Sequence, residues 1–279
     1  MADNRMGSKV VVARPNSGKV PARESTALKK SLPPRLRASA GKFVSPISKA
    51  PNFASDVRIC KKRAEVLLRL LPRVYPEAHC ELQFNSPLEL LVATILSAQC
   101  TDKRVNIVTE NLFRRCRTVT DYASIPQEEL EEIVHSTGFF RNKAKNIRAM
   151  AAALIKDHEG EVPRSLAELA ALPGVGRKTA NVVLGNAFGM NEGVVVDTHV
   201  GRLALRLGLT SNTDPVKVET DLAGLFPRER WTDLSHWLIW HGRNRCTARN
   251  PDCDNCELQA HCPSAGKLNQ LHERPDFDA

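Results

Sequence analysis

The sequence predicts an all-α fold, and three observations lead to that class. Apolar residues beyond residue 50 recur at the three- and four-residue spacing of helices, as in Val105, Val108 and Leu112. Capping boxes at 86–89 and 165–168 mark two helix starts, and glycines mark several helix ends. The segment 193–196 alone resembles a strand, and one short strand cannot build a sheet.

The helices predicted from these signals follow one another along most of the chain. The first has apolar positions from Ile59 to Leu71, and the second opens at the capping box 86–89 and runs through Leu96. Thr101 caps the third. The remaining predictions are helices over 126–136 and 142–157, one that opens at the capping box 165–168, two capped by Asp197 and Asp214, and one over 231–241 with all three tryptophans.

Composition and charge exclude several classes of protein. The chain has 279 residues, 42% of them hydrophobic, and 40 Lys and Arg against 31 Asp and Glu, a formal net charge of +9. This hydrophobic content suits a globular protein, and no apolar run reaches the roughly 18 residues of a membrane-spanning helix. The N-terminus lacks the apolar stretch of a secretory signal, so we expect a cytoplasmic location and cysteines that are thiols or metal ligands.

Residues 1–50 carry the whole of the net charge, with eleven Lys and Arg against two Asp and Glu. The segment is rich in Pro, Ser and Ala and holds one aromatic residue, so it cannot bury enough apolar surface to offset chain entropy. We expect a disordered basic tail that binds polyanions such as nucleic acid. A solvated tail without a ligand, or an alternative start at Met6, explains the same composition.

Four cysteines near the C-terminus, Cys246, Cys253, Cys256 and Cys262, have the spacing C-x6-C-x2-C-x5-C. Four thiolates so close in sequence converge readily on one soft metal centre. An iron–sulfur cluster takes four thiolates from such compact runs, whereas zinc ribbons usually place two C-x2-C pairs on separate knuckles. The spacing therefore favours a cluster and leaves zinc as the alternative.

The segment 172–176, Leu-Pro-Gly-Val-Gly, links two predicted helices as a tight hairpin. Gly174 and Gly176 permit backbone angles that other residues avoid. The next helix then begins with free N–H groups and the positive end of its dipole, which bind phosphate without reading sequence. A tight turn without any ligand is the alternative for this segment taken alone.

Lys178 stands in the first turn of the helix after the hairpin, where the helix dipole disfavours a positive charge. A neutral lysine amine is a nucleophile that forms Schiff bases with aldehydic carbons. Nineteen residues later Asp197 follows an apolar stretch, and its carboxylate serves as a helix cap, in catalysis, or in both. The alternative for Lys178 is a solvated lysine that touches phosphate, and we interpret His199 as a packed side chain.

Taken together, these motifs resemble those of bacterial endonuclease III. The resemblance is carried by Leu96-Ser-Ala-Gln-Cys-Thr-Asp102, Leu172-Pro-Gly-Val-Gly-Arg-Lys-Thr-Ala180, Val196-Asp-Thr-His-Val200 and the four-cysteine loop. It covers about residues 51–262 in order, and the joint signature is highly specific although each part alone is not. The first fifty residues and the tail after Cys262 depart from the family pattern.

The resemblance implies two helical domains on either side of a DNA-binding cleft. One domain would be a six-helix barrel that ends with the helix-hairpin-helix, and the other would be discontinuous in sequence and hold a [4Fe-4S] cluster. The implied segments are a barrel over 80–190 with its hairpin at 172–176, a second domain over 51–79 and 191–265 with its cluster loop at 246–262, and a tail over 266–279.

The resemblance also implies an activity and the roles of single residues. The family consists of DNA glycosylases with AP-lyase activity on oxidised pyrimidines, so Lys178 would be the nucleophile and Asp197 the catalytic carboxylate. Gln99 would fill the gap left by the extruded nucleotide, and Phe139 would wedge into the opposite strand, although the family often has an aliphatic residue there. The cluster would be bound by the four cysteines, and DNA phosphate by Gly174, Val175, Gly176 and Arg177.

The implied partner is double-stranded DNA with oxidised pyrimidines or abasic sites, bound by a monomer at the bacterial nucleoid without any membrane. Two other functions stay open on the sequence. An adenine glycosylase of the same superfamily would lack Lys178 and carry a further C-terminal domain, and a non-catalytic iron–sulfur DNA-binding protein would not need Lys178 together with Asp197. Arginines beside the cluster loop are candidates either for phosphate contact or for a solvated face; they are Arg243, Arg245 and Arg249.

Overall fold

Eleven α-helices and three short 3-10 segments make up the regular structure of residues 57–267, the part of the chain that the computed structural model describes. No strand occurs within this range, which confirms the all-α prediction. The predicted basic tail 1–50 and most of the predicted tail 266–279 lie outside the described residues. The helices are α1 (Val57–Val74), α2 (Pro87–Leu96), α3 (Asp102–Arg115), α4 (Val119–Ser124), α5 (Gln127–Val134), α6 (Phe140–Asp157), α7 (Leu166–Ala171), α8 (Arg177–Phe188), α9 (Thr198–Arg206), α10 (Pro215–Leu225) and α11 (Trp231–Asn244), and the 3-10 segments are His135–Thr137, Arg228–Arg230 and Gln259–His261.

Side-chain caps fix where several of these helices begin. The hydroxyl of Ser86 accepts a hydrogen bond of 3.2 Å from the Glu89 N–H, and Pro87 occupies the first turn of α2. The other half of the predicted capping box differs, because the Glu89 carboxylate accepts from the Asn85 N–H at 2.6 Å and not from Ser86. Thr101 and Ser165 cap α3 and α7 in the same way. These helix starts are confirmed, because a cap depends only on residues three positions apart in sequence.

Two local features differ from the sequence predictions. Helix α4 is absent from them, although Thr118 and Asp121 form a reciprocal capping box with bonds of 2.8 and 3.2 Å. An Asp in place of the usual Glu or Gln obscures that signal. The strand-like segment 193–196 forms no strand; it is irregular chain, and its Val195 N–H donates to the hydroxyl of Ser235 in α11 at 3.0 Å.

The helices pack around two separate hydrophobic cores. Helices α2 to α8 surround the first core, which includes the fully buried Leu91, Tyr122 and Ile147. Helices α1 and α9 to α11 surround the second, which includes Leu67 and Leu203. Because α1 precedes the first core in sequence and α9 follows it, the second core is built from segments that are separate along the chain. The domain boundaries given by the sequence stay a prediction.

None of the helices within residues 57–267 combines the length and the apolar character that crossing a bilayer requires.

Helix α8 joins the two cores, since it packs against α2 and α7 of the first and against α11 of the second. Gly185 of α8 lies so close to Thr232 of α11 that a Cβ at this glycine would clash with the threonine side chain. At the start of α8, Arg177 donates two hydrogen bonds of 2.9 Å to the carboxylate of Glu219 in α10. Glu219 is only 8% exposed whereas Arg177 is exposed, so the pair links the two cores through a buried carboxylate and a half-solvated guanidinium.

The hairpin between α7 and α8 depends on its first glycine. Gly174 has a φ of +75°, and a Cβ at this position would lie 2.7 Å from the Cβ of Asn146 in α6. The Val175 N–H donates to the Leu172 carbonyl at 3.1 Å, and both of these side chains are buried in the first core. The hairpin therefore approaches α6 this closely only because residue 174 has no side chain.

Replacing Gly174 with alanine should lower the free energy of unfolding by about 1–3 kcal/mol, because the new Cβ meets both a left-handed backbone and Asn146. Chemical denaturation followed by far-UV circular dichroism measures the change. The control is Gly224→Ala in α10, where nothing lies within 4 Å of the Cβ position and stability should be kept or slightly raised. A Gly174→Ala protein as stable as the wild type would contradict this account of the hairpin.

Candidate active site and four-cysteine loop

Lys178 is the second residue of α8, directly after the hairpin. The N-cap of this helix is Gly176, which has no side chain to satisfy the first N–H groups, so they are left for an external acceptor. The lysine side chain is exposed and lines a cavity between the two hydrophobic cores. A primary amine and a helix start with uncapped N–H groups therefore lie side by side.

Asp197 reaches the same cavity from the second core. It follows the buried Val194 and Val195, a stretch tied to α11 through Ser235. Its Oδ1 accepts a hydrogen bond of 2.8 Å from the Val200 N–H, so Asp197 is the N-cap of α9. The cap holds the carboxylate in place while the residue lines the cavity, and the two interpretations of Asp197 are therefore compatible.

The cavity shared by Lys178 and Asp197 has a volume of about 120 Å³ and is partly open to solvent. Its walls come from α8 and α11 and from residues 79–82, which connect α1 to α2. The structure thus brings together the two residues predicted to carry the chemistry, although they lie nineteen residues apart and on different cores.

One face of α11 also lines the cavity, and of its residues the sequence analysis singled out only Arg243. His236, Trp240 and Arg243 are spaced four and three residues apart, so they lie on one side of the helix. Burial lowers the pKa of His236 to about 4, and its Nε2 lies 2.7 Å from Oδ1 of Asn186. The neutral ring is a hydrogen-bonding wall of the cavity. The helical spacing of the three residues was the available sequence signal.

The two residues predicted to enter the duplex lie on short loops and share an unusual backbone conformation. Gln99 has a φ of +54° and Phe139 a φ of +49°, in the left-handed region that residues other than glycine rarely adopt. Glu159 is the third such non-glycine residue within the described part of the chain. Both predicted side chains are exposed, Phe139 to 64%. Exposed side chains on strained backbone are a feature of functional contacts.

Three arginines that the sequence offers as phosphate contacts form ion pairs within the protein. Each guanidinium of Arg177, Arg243 and Arg245 faces carboxylates at 2.5 to 2.9 Å. This geometry favours a structural role for these side chains, while Arg249 is exposed. The DNA-binding role of Arg177 stays a prediction, and it rests on the backbone at the helix start and not on the guanidinium. The carboxylates are Glu219 for Arg177, Glu81 and Asp102 for Arg243, and Asp252 and Glu257 for Arg245.

The four cysteines predicted as metal ligands line a second cavity, next to α9 and α11. Cys253 is buried, and Cys246, Cys256 and Cys262 are partly buried against the second core. Arg206, the last residue of α9, holds the start of the loop, because its Nη1 donates to Sγ of Cys246 at 3.2 Å and to the next backbone carbonyl at 2.7 Å. The loop is thus fixed to the helix that begins with Asp197.

The arrangement of these thiols fits an iron–sulfur cluster better than a single zinc ion. Within residues 57–267, no three His, Cys, Asp or Glu side chains converge on one position that a metal ion could occupy. The four thiols instead surround a cavity together with apolar side chains such as Leu203 and Leu258. Four cysteine ligands around a larger, apolar space match the ligand set of a [4Fe-4S] cluster.

Two family models match the regions that hold these sites. The model described as HhH-GPD superfamily base excision DNA repair protein matches residues 92–228, which include the hairpin, Lys178 and Asp197. The model described as the iron-sulfur binding domain of endonuclease III matches residues 246–262, the four-cysteine loop. Both matches lie in the order that the sequence motifs predict.

Relatives match this chain over nearly all of their own length. The chain is 53% identical over 205 residues to an endonuclease III of Synechocystis sp., a match that covers 74% of this chain and 94% of the relative. It is 46% identical over 210 residues to the endonuclease III of Bacillus subtilis, which covers 75% of this chain and 95% of the relative.

Solved structures agree with the sequence matches. A trapped endonuclease III–DNA covalent intermediate has a TM-score of 0.71 and 46% identity, covering 74% of this chain and 97% of that chain. A non-covalent endonuclease III–DNA complex has a TM-score of 0.72 and 45% identity, covering 75% and 98%. The chain therefore belongs to the endonuclease III family of the HhH-GPD superfamily, the iron–sulfur DNA glycosylases and AP lyases of base excision repair.

Proposed function

We propose that this chain removes oxidised pyrimidines from duplex DNA and nicks the strand 3′ to the resulting abasic site, with Lys178 as nucleophile and Asp197 as catalytic carboxylate. The single observation that carries this assignment is the shared cavity, where an amine from the first core and a carboxylate from the second line one space. The family's glycosylase and lyase activity requires such a pair, because an amine must attack a sugar while positive charge develops on it.

The proposed reaction begins when the damaged nucleotide leaves the base stack, because its C1′ is otherwise out of reach. The unprotonated amine of Lys178 attacks C1′, and the glycosidic bond breaks with its electron pair leaving on the base, which takes up a proton. Asp197 stabilises the positive charge that develops on the sugar. The sugar ring then opens, and a Schiff base links Lys178 to C1′.

The Schiff base permits strand cleavage in the second half of the reaction. Its cationic imine acidifies C2′, and loss of a C2′ proton drives β-elimination of the 3′ phosphate. Asp197 assists proton transfer. Attack by water on the imine releases the unsaturated sugar and restores the amine of Lys178.

Duplex DNA is proposed to bind through the hairpin and the two strained loops. The N–H groups at the start of α8, after Gly174, Val175 and Gly176, bind phosphate without reading sequence. Gln99 fills the space of the extruded nucleotide, and Phe139 wedges into the opposite strand. Their exposure and left-handed backbones support these roles, since such strain persists where the surrounding fold holds it for function.

Oxidised pyrimidines suit this mechanism as substrates. They stack and pair less well than intact bases, which lowers the cost of extrusion and supplies part of the selectivity. Abasic sites enter the same cavity and undergo the lyase step alone. The chain is proposed to act as a monomer on the bacterial nucleoid in the cytoplasm.

The main role proposed for the [4Fe-4S] cluster is to order the four-cysteine loop. Cys246, Cys253, Cys256 and Cys262 would hold the cluster, which would cross-link a loop that has little regular structure of its own. Since Arg206 joins that loop to α9, an ordered loop supports the helix whose first turn is capped by the catalytic carboxylate.

Lys178→Gln should abolish the covalent adduct that sodium borohydride traps on duplex DNA with an abasic site, because glutamine has no nucleophilic amine. Denaturing electrophoresis of labelled DNA measures the adduct. The control is Lys217→Gln, which removes another exposed lysine from the first turn of a helix and should leave the adduct at the wild-type level. Absence of an adduct with folded, cluster-loaded wild-type protein would refute the lyase proposal.

Asp197→Asn should fold and bind DNA, because asparagine is as good an N-cap as aspartate. Single-turnover base excision should slow by about a hundredfold or more, because the charge that stabilises the sugar is lost. Asp214→Asn is the control, since Asp214 caps α10 through the same kind of bond, 3.0 Å from the Lys217 N–H, and it should retain the wild-type rate. A near-normal excision rate for Asp197→Asn would show that Asp197 only caps α9 and has no catalytic role.

Cys256→Ser should lose bound iron, the brown absorbance and thermal stability together, because one cross-link of the loop is removed. Iron analysis, visible absorption and thermal unfolding measure these three quantities. Cys116→Ser changes a buried cysteine outside the loop and should keep the iron. Normal melting of Cys256→Ser without iron would contradict a structural role of the cluster.

A further inference from the structure

A buried lysine joins the two loops that carry Gln99 and Phe139. Lys143, near the start of α6, is 5% exposed. Its Nζ donates hydrogen bonds of 2.8 Å to the carbonyl of Leu96 and of 2.7 Å to the carbonyl of Thr137. Leu96 lies three residues before Gln99 and Thr137 lies two residues before Phe139, so a single amine is bonded to the base of both loops.

The position of these carbonyls explains why an amine is buried here. Leu96 ends α2 and Thr137 ends the 3-10 segment, so both carbonyls lie where helical N–H partners run out. An ammonium group complements the negative ends of two such helices. Burial lowers the pKa of Lys143, which reflects the cost of removing its charge from water. Buried lysines are rare unless partners of this kind offset that cost.

The backbone of Lys143 adds a third bond to the same region. Its N–H donates to the carbonyl of Phe139 at 3.1 Å. Phe139 is therefore held on one side by this bond and, two residues earlier, by the bond from the lysine side chain to Thr137. Strained left-handed residues persist only where their surroundings hold them, and Lys143 contacts the chain beside both of them.

We infer that Lys143 is a positioning residue whose amine fixes the distance between the Gln99 and Phe139 loops. With that distance fixed, both side chains enter the duplex at matching positions on its two strands. The inference rests on the proposed roles of Gln99 and Phe139. Lys143 acts through these loops and not on the reacting atoms, because its amine is occupied by Leu96 and Thr137.

Lys143→Met tests this role, because methionine fills a similar volume and removes the donors. Single-turnover base excision from duplex DNA should fall by about tenfold to a hundredfold, the effect of displacing positioning groups by roughly 1 Å. Lys145→Met, on the exposed side of the same helix, is the matched control and should stay within about twofold of the wild type. All variants are compared well below their melting temperatures and at equal iron content.

A fluorescent base reports the insertion step itself. 2-Aminopurine opposite an abasic site brightens when the inserting side chains separate it from its stacking partners. At saturating protein, Lys143→Met should give a smaller rise than the wild type or Lys145→Met. A rise and an excision rate equal to those of the wild type would overturn the inference.

A double-mutant cycle separates positioning from a general loss of structure. If Lys143 acts through the two loops, Lys143→Met should cost much less in a background of Gln99→Ala and Phe139→Ala, since coupled residues are not additive. An equal cost in both backgrounds would overturn the inference. Failure of the wild-type borohydride adduct would refute the proposed function, whereas a normal adduct together with a Lys143→Met protein of full activity refutes only the role of Lys143.

Discussion

Two hydrophobic cores have to be held in register for this chain to act, because the proposed nucleophile belongs to one and the carboxylate to the other. One link between the cores is the two-bond ion pair between Arg177 and Glu219, which permits little variation in the position of either side chain. Asn181 donates a further hydrogen bond of 3.2 Å to the same carboxylate. A buried carboxylate is costly unless its partners are well placed. The geometry that satisfies Glu219 therefore also fixes the first turn of α8, where Lys178 follows Arg177 directly.

A second link lies at the cavity itself. Arg243 of α11 donates to Glu81, in the connection after α1, and to Asp102, the first residue of α3. Partly exposed ion pairs contribute only about 0–1 kcal/mol each to the free energy of unfolding. The two pairs of Arg243 therefore serve mainly to orient the segments that they connect. Asp102 directly follows the segment that contains Gln99, so Arg243 anchors both the wall of the cavity and the loop proposed to enter DNA. Arg177 and Arg243, which the sequence suggests as phosphate contacts, instead form ion pairs that connect different parts of the fold.

The sequence predicts an interaction well when its two residues are close together along the chain, and poorly when they are far apart. The caps at Ser86, Thr101 and Asp197 depend on neighbours three residues away, so the sequence specifies them. The pairing of Lys178 with Asp197 in one cavity is not local, and it followed only from the resemblance to a known family. The cavity-lining roles of His236 and Trp240 were missed because periodicity alone does not tell which side of a helix faces a cavity and which side, like that of Trp237, faces a core.

The proposed insertion of Gln99 and Phe139 into the base stack requires that their loops hold a fixed conformation before DNA binds. Phe139 is largely exposed, so the core does little to orient its ring, and the direction of the side chain comes mainly from its backbone. A flexible loop would lose conformational entropy on entering DNA, whereas a loop already fixed before binding avoids that cost. The left-handed residues at 99 and 139 are such fixed points, each close behind the end of a helix. Because one buried amine contacts both helix ends, the order of the two loops is shared, and disturbing one should disturb the other.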